Sequence, residues 1–178
     1  MEFPSKLIEN AVGELSKLPG VGKKTALRLA LHLLKADTDT TASLAEALAK
    51  MRFEIRYCDT CHNISDTAEC GICANHLRDQ STVCVVSDIR DVIALENTAQ
   101  YQGMYHVLGG VISPIEGIGP GDLTIDSLLE RVTREGSEIR EVILAISPTM
   151  EGDTTAFYLS RKLRDHPELH LSSIARGI

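Results

Sequence analysis

The 178-residue sequence has no tryptophan, and aromatic residues make up only 4% of it. So few rings argue against the base-stacking platforms on which many single-strand binders rely. No run of eighteen apolar residues occurs, so no membrane-spanning helix is expected. The opening Met1-Glu2-Phe3-Pro4-Ser5-Lys6 lacks the basic stretch and apolar core of an export leader, and none is expected. Five cysteines without an export signal point to a reducing cytosol, where thiols serve metals or catalysis rather than disulfides. Wholesale disorder is excluded as well: 43% of residues are apolar and 24% charged, ordinary values for a folded chain. The length suits one domain or two small ones.

The net charge is −7, but it is unevenly spread. Residues 1–56 carry nine Lys/Arg against seven Asp/Glu, residues 57–80 one against four, and residues 81–178 eight against fourteen. Only the N-terminal third is basic, so a nucleic-acid contact is expected there or nowhere. That third reads as helical. Leu7, Ile8, Ala11, Val12 and Leu15 recur at helical spacing over residues 5–17, with Ser5 as cap. A second helix is expected from Lys23 to Lys35, its apolar residues nearly encircling it, which predicts substantial burial. A third is expected over Thr41–Arg56.

Between the first two helices lies Leu18-Pro19-Gly20-Val21-Gly22. Gly20 and Gly22 permit unusual backbone angles and close approach of another backbone. The amides that open the next helix have no intrahelical acceptor and favour an anion. Lys23, Lys24 and, one turn on, Arg28 supply cations. The bland alternative is a glycine-rich turn with solvated lysines. A nucleotide-binding phosphate loop is excluded, because the gap between its glycines and its Gly-Lys-Ser/Thr ending are missing.

Cys58-Asp-Thr-Cys61 and Cys70-Gly-Ile-Cys73 form two knuckles eight residues apart. Four thiolates complete a tetrahedron and leave no position for a catalytic water, so a structural metal is expected. An all-sulfur site suits zinc or iron; zinc is favoured because nothing else suggests electron transfer. Paired disulfides or a redox pair are the competing readings. Cys84, in an apolar run, reads as an inert buried thiol.

From residue 81 the pattern becomes α/β. Strands are expected at Thr82–Val86, Met104–Leu108, Val142–Ile146 and Leu169–Ala175, and helices near Arg90–Thr98, Ile125–Arg134 and Thr154–Arg164. Continuous apolar strands alternating with helices predict a mostly parallel sheet. Asp88 and Asp91 follow the first strand; Glu151 and Asp153 follow the third. Such strand-end acids could hold Mg²⁺, cap helices or meet a partner. The glycine-rich loop 109–121 superficially suggests a nucleotide fingerprint but lacks its strand-turn-helix setting, and a shaped partner-binding loop is the competing reading.

The order of these pieces resembles the RecR family of bacterial recombination mediators. The resemblance rests on Leu18-Pro-Gly-Val-Gly-Lys-Lys-Thr-Ala26, Tyr57-Cys58 with its companion cysteines, Tyr105-His-Val-Leu108, Ser113-Pro-Ile-Glu-Gly-Ile-Gly-Pro120, Glu141–Ala145 and Pro148-Thr-Met-Glu-Gly152. It implies a helix-hairpin-helix DNA-binding module over residues 1–56, a four-cysteine zinc finger over 57–80 and a Toprim domain over 81–178. Active Toprim domains place a glutamate after the first strand and Asp-x-Asp after a later one. Here those positions hold Ser87 and Ser147-Pro148-Thr149, and a serine hydroxyl cannot serve as the base.

The resemblance therefore implies a non-enzymatic DNA-repair protein in the bacterial cytoplasm, associated with the nucleoid. It would bind single- and double-stranded DNA through Gly20, Gly22, Lys23, Lys24 and Arg28. With RecO and RecF it would load RecA at single-stranded gaps, Glu151 facing a partner. Family members continue past residue 178 with a Pro-Val-Gly-Gly segment, a strand and a helix, and form a ring-like tetramer. The expectation here is a homodimer through the N-terminal modules more readily than a closed tetramer. Two other function classes compete: a Mg²⁺-dependent nuclease or topoisomerase-like enzyme using the strand-end acids, and a zinc-stabilised adaptor that binds only proteins.

Overall fold

The computed structural model describes residues 3–175; residues 1–2 and 176–178 lie outside it. The chain divides after residue 54 into two compact units.

The first unit is three helices: α1 (Lys6–Leu15), α2 (Lys23–Lys35) and α3 (Thr38–Glu54). Ser5 caps α1 by accepting the Leu7 N–H at 3.2 Å. Asp37 accepts the Thr40 N–H at 2.6 Å. That side-chain acceptor starts α3 three residues earlier than apolar periodicity predicts, because a cap needs only a local oxygen. The burial expected for α2 does not occur. Ala26 is its one buried residue and Val12 that of α1, while Leu29, Leu31 and Leu34 are exposed. Three helices enclose too little volume to cover an apolar surface that takes up more than half of one of them.

The second unit opens with a two-stranded antiparallel ribbon, β1 (Arg56–Tyr57) and β2 (Ile64–Ser65). There follow β3 (Asp79–Val86), α4 (Ile89–Asn97), β4 (Gly103–Val107), α5 (Ile125–Thr133), β5 (Glu141–Ala145), α6 (Met150–Leu163) and β6 (His170–Ser173). The last four strands form a parallel sheet in the order β4-β3-β5-β6. Alternation along β3 splits the core in two. Val83 and Val85 pack with Met104, Leu128, Val142 and Leu159 on one face. Cys84 and Val86 pack with Tyr105, Val107 and Val92 on the other. Strands buried on both faces need apolar residues at every position, which is why these runs show no polar alternation.

Two close approaches shape the ligand end of the sheet. A side chain at Gly152, in the first turn of α6, would collide with the Ser147 carbonyl that β5 delivers there. The long loop after β4 is a small hairpin, closed by Ser113 N–H to the Ile118 carbonyl at 3.0 Å and the reciprocal bond at 2.9 Å. It is tied to α6 by the Ile112 N–H donating to Thr155 Oγ1 at 2.8 Å. Its glycines lead into a single 3-10 turn at Pro120–Asp122 rather than an α-helix, so it is no nucleotide fingerprint.

Candidate metal centre and nucleic-acid interface

The metal centre is built from two tight turns. At the β1–β2 turn the Cys58 N–H donates to the Asn63 carbonyl at 2.8 Å and the His62 N–H to the Cys58 carbonyl at 2.9 Å. His62 sits in the left-handed region at φ 59° to close that turn. The second turn follows Cys70, whose carbonyl accepts the Ala74 N–H at 3.0 Å. Backbone amides also point at sulfur: Cys70 N–H at Cys58 Sγ, 3.4 Å, and Cys73 N–H at Cys70 Sγ, 3.5 Å.

All four cysteines are buried and free, and their Sγ atoms lie within 4.8 Å of one another. Thiols so close cannot all ionise on their own. Hydrogen bonding from Cys73 holds Cys61 down to about 5. Burial pushes Cys70 up to about 11, and the hydrogen bond to Cys61 pushes Cys73 up too. A dication at the centre reverses that mutual repulsion, and the inward amides offset part of the thiolate charge. The donor set fits a tetrahedral, closed zinc site.

The centre is joined to the sheet. The Val107 N–H of β4 donates to the Cys61 carbonyl at 2.8 Å, and the cysteines share one core with Met104, Leu108 and Ile125. His62 turns away from the sulfurs: its Nε2 is 2.7 Å from Ser127 Oγ, and its ring meets His106 edge-on at 5.1 Å. His106 is fully buried, and burial pushes it down to about 3, so it stays neutral. Arg131 of α5 is half-buried, donates to the Tyr105 carbonyl at 2.7 Å and lines a polar cavity of about 410 Å³ with Cys73. Sequence reading missed His106 and Arg131. The pairing of His62 with His106 carries no local signal. Arg131 does carry one, since it stands three residues after the buried Leu128, at the margin of the apolar stripe of α5.

In the first unit, Gly20 takes φ +78°, the left-handed region that closes the turn between α1 and α2. Gly22 is the N-cap of α2 and offers no side-chain acceptor, so the first bond of that helix is Ala26 N–H to the Gly22 carbonyl, 2.9 Å. The amides of Lys23, Lys24 and Thr25 are thereby left without intrahelical partners. Among the described residues, none beyond its two chain neighbours lies within 4 Å of where a Gly22 side chain would begin. Lys23, Lys24 and Arg28 are exposed around those amides.

The strand-end acids have a different arrangement. Asp88 caps α4 by accepting the Arg90 N–H at 2.8 Å, and Asp91 accepts the Asp88 N–H at 3.0 Å. The Arg90 guanidinium, 2.9 Å away, holds Asp88 below the usual carboxylate range. Glu151 and Asp153 occupy the first turn of α6, which Thr149 caps. Among the described residues only the four cysteines bring three or more metal-ligand atoms together. Asp88, Asp91, Glu151 and Asp153 form no such group. The groove at the ends of β3 and β4, about 380 Å³, is walled by Tyr57, His62 and Ile64 of the cysteine segment.

Three family models match in succession along the chain: the RecR helix-hairpin-helix over residues 8–52, the RecR four-cysteine zinc finger domain over 55–75 and the Toprim domain over 81–175. Recombination protein RecR of Phocaeicola vulgatus is 61% identical over 177 residues, covering 99% of this chain and 85% of that protein. Its namesake in Cytophaga hutchinsonii is 61% identical over 178 residues, covering 100% and 86%. The chain belongs to the RecR family.

As a RecR-family zinc finger, the cysteine cluster holds one structural zinc ion per chain. Ser87 stands at the end of β3, where the Toprim resemblance implies a glutamate in active members, and its Oγ is buried without a partner. No helix among the described residues is long and apolar enough to cross a membrane.

Proposed function

We propose that this RecR-family chain is a non-catalytic mediator of recombinational DNA repair that binds single- and double-stranded DNA by its backbone phosphates. The observation that carries this reading is the α1–α2 hairpin. Its amides are uncapped, its glycines leave them uncovered, and three exposed cations surround them. Gly20 shapes the turn, Gly22 gives access, the amides that open α2 hydrogen-bond a phosphate, and Lys23, Lys24 and Arg28 neutralise it. Such contacts are independent of sequence and sensitive to salt.

The Toprim part acts as a scaffold. Asp88 and Asp91 are engaged in capping α4, and Ser87 offers no base, so hydrolysis of DNA is not its role. Glu151 faces a partner protein from the first turn of α6, beside the exposed Met150. The partners we infer are RecO and RecF, with loading of RecA at gaps as the outcome and the bacterial nucleoid as the place. Two copies of the chain pair through their first units, where Leu7, Leu34, Leu48, Met51 and Phe53 stand more than half exposed. Pairing doubles the hairpins offered to one DNA, and linked weak contacts multiply in effect.

The test is retention of gapped DNA at low salt, with and without Mg²⁺. Lys24→Glu with Arg28→Glu is expected to abolish retention while the circular dichroism spectrum is kept. Unchanged retention by that variant removes the hairpin from the mechanism. Mg²⁺-dependent cleavage lost in Glu151→Ala would instead make the protein a nuclease, and failure to retain DNA even with RecO present would make it an adaptor.

A further inference from the structure

Helix α2 carries Lys23, Lys24, Arg28, His32 and Lys35 but no acidic residue, within a chain whose net charge is −7. At 100° per residue, positions 24, 28, 32 and 35 fall within about 80° of one another, a single stripe. Lys24, Arg28, His32 and Lys35 are exposed and line one continuous shallow surface with Leu27 and Leu31. Among the described residues none of the four forms an ion pair. Two acids elsewhere in this unit are engaged with other lysines, Glu14 with Lys17 at 2.8 Å and Glu46 with Lys50 at 2.7 Å.

We infer that the far end of this stripe, His32 and Lys35, is a second phosphate-contact site, so that α2 lies along a DNA strand rather than touching it only at the hairpin. The inference rests on the reading of the hairpin as a DNA contact and extends it. From Lys24 to Lys35 the helix rises about 16 Å, a span of roughly two to three phosphates along one strand, since each nucleotide adds about 3.4 Å of axial rise and also turns about the axis. A phosphate held at the hairpin therefore places a later phosphate of the same strand within reach of Lys35. Lys24, Arg28 and Lys35 line the same surface as Leu27 and Leu31, and long cationic side chains suit such a surface because their stems can cover apolar area while the heads stay in water. His32, between the two ends, offers a ring N–H to an intervening phosphate oxygen.

The experiment is fluorescence anisotropy of a labelled duplex and a labelled oligothymidylate, each titrated with the full chain between about 50 and 200 mM salt. A lost phosphate contact lowers the slope of log affinity against log salt by about 0.9 on duplex and about 0.7 on single strand. Lys35→Gln is expected to lower the slope by that amount on both, with an unchanged thermal midpoint, and Lys35→Arg to restore it. His32→Leu is expected to weaken binding to both probes, since it removes a hydrogen-bond donor. If Lys24→Gln with Arg28→Gln weakens binding while Lys35→Gln leaves slope and affinity at the parent values, the second site is overturned and the hairpin stands. If Lys24→Gln with Arg28→Gln changes nothing, the hairpin reading fails, and the second site with it.

Discussion

Two buried thiols in this chain differ in what surrounds them. Cys70 has three other sulfurs within 4.8 Å, whereas Cys84 lies among Val86, Val92 and Tyr105. Burial pushes the Cys84 thiol up to about 12, which keeps it protonated and unreactive. Elemental analysis is expected to find one zinc per chain in Cys84→Ala and almost none in Cys70→Ala. Equal zinc in the two variants would mean that the metal lies elsewhere. The spacing of the knuckles makes the four ligands legible in the sequence, because two CxxC turns bring their thiols together by local geometry alone. His62 is different. It stands beside Cys61 in the sequence, yet its ring turns to Ser127, 65 residues away.

Among the elements, α4 shows how a long-range pair fixes a helix on a sheet. Arg78, ahead of β3, is almost buried and makes a forked pair with Glu96 of α4 at 2.9 and 2.8 Å. It also donates to the Gly103 carbonyl at 2.9 Å, and Tyr105 Oη donates to Glu96 at 2.8 Å. Removing one member leaves the other poorly solvated, so Arg78→Leu is expected to cost about 2–3 kcal/mol. The hydrogen bonds from Arg78 hold Glu96 below its ordinary carboxylate value of 4.5. A folded pKa below the unfolded one stabilises fully above the unfolded value and is lost as pH falls through the folded one. The stability advantage of the parent over Glu96→Gln should therefore shrink below about pH 4.5. Urea unfolding at several pH values reads this, and an advantage constant down to about pH 3 would show that Glu96 is not ionised in the pair. Helix and strand positions were readable here from apolar periodicity. The starts of α3 and of α6, which begins at Met150 rather than Thr154, were not, because Asp37 and Thr149 each act through one hydrogen bond rather than through periodicity.

For the molecule as a whole, the first unit buries only Val12 and Ala26 in its helical interior. Its apolar groove of about 570 Å³, between α1, α2 and the start of α3, is lined by Leu7, Ile8, Leu15, Leu33 and Leu34. So much uncovered apolar surface on one small unit favours association. Light scattering across a concentration series is expected to give a dimer at low micromolar concentration, and Leu34→Glu with Met51→Glu to shift it to monomer. A strict monomer in the parent chain would show that the apolar face serves another purpose. Residue order alone specifies what depends on neighbours in the chain: the two knuckles, the glycine turn with its cations, and the alternation of strands and helices. Those features follow from periodicity, turn chemistry and ligand spacing, which act over a few residues. The folded chain was needed to reveal that the apolar side of α2 stays exposed, that Asp88 and Asp91 cap a helix, and that Arg131 and His106 gather around the cysteine segment. Each of these depends on which surfaces meet across tens of residues, where enclosed volume and hydrogen-bond geometry, not local pattern, set the outcome.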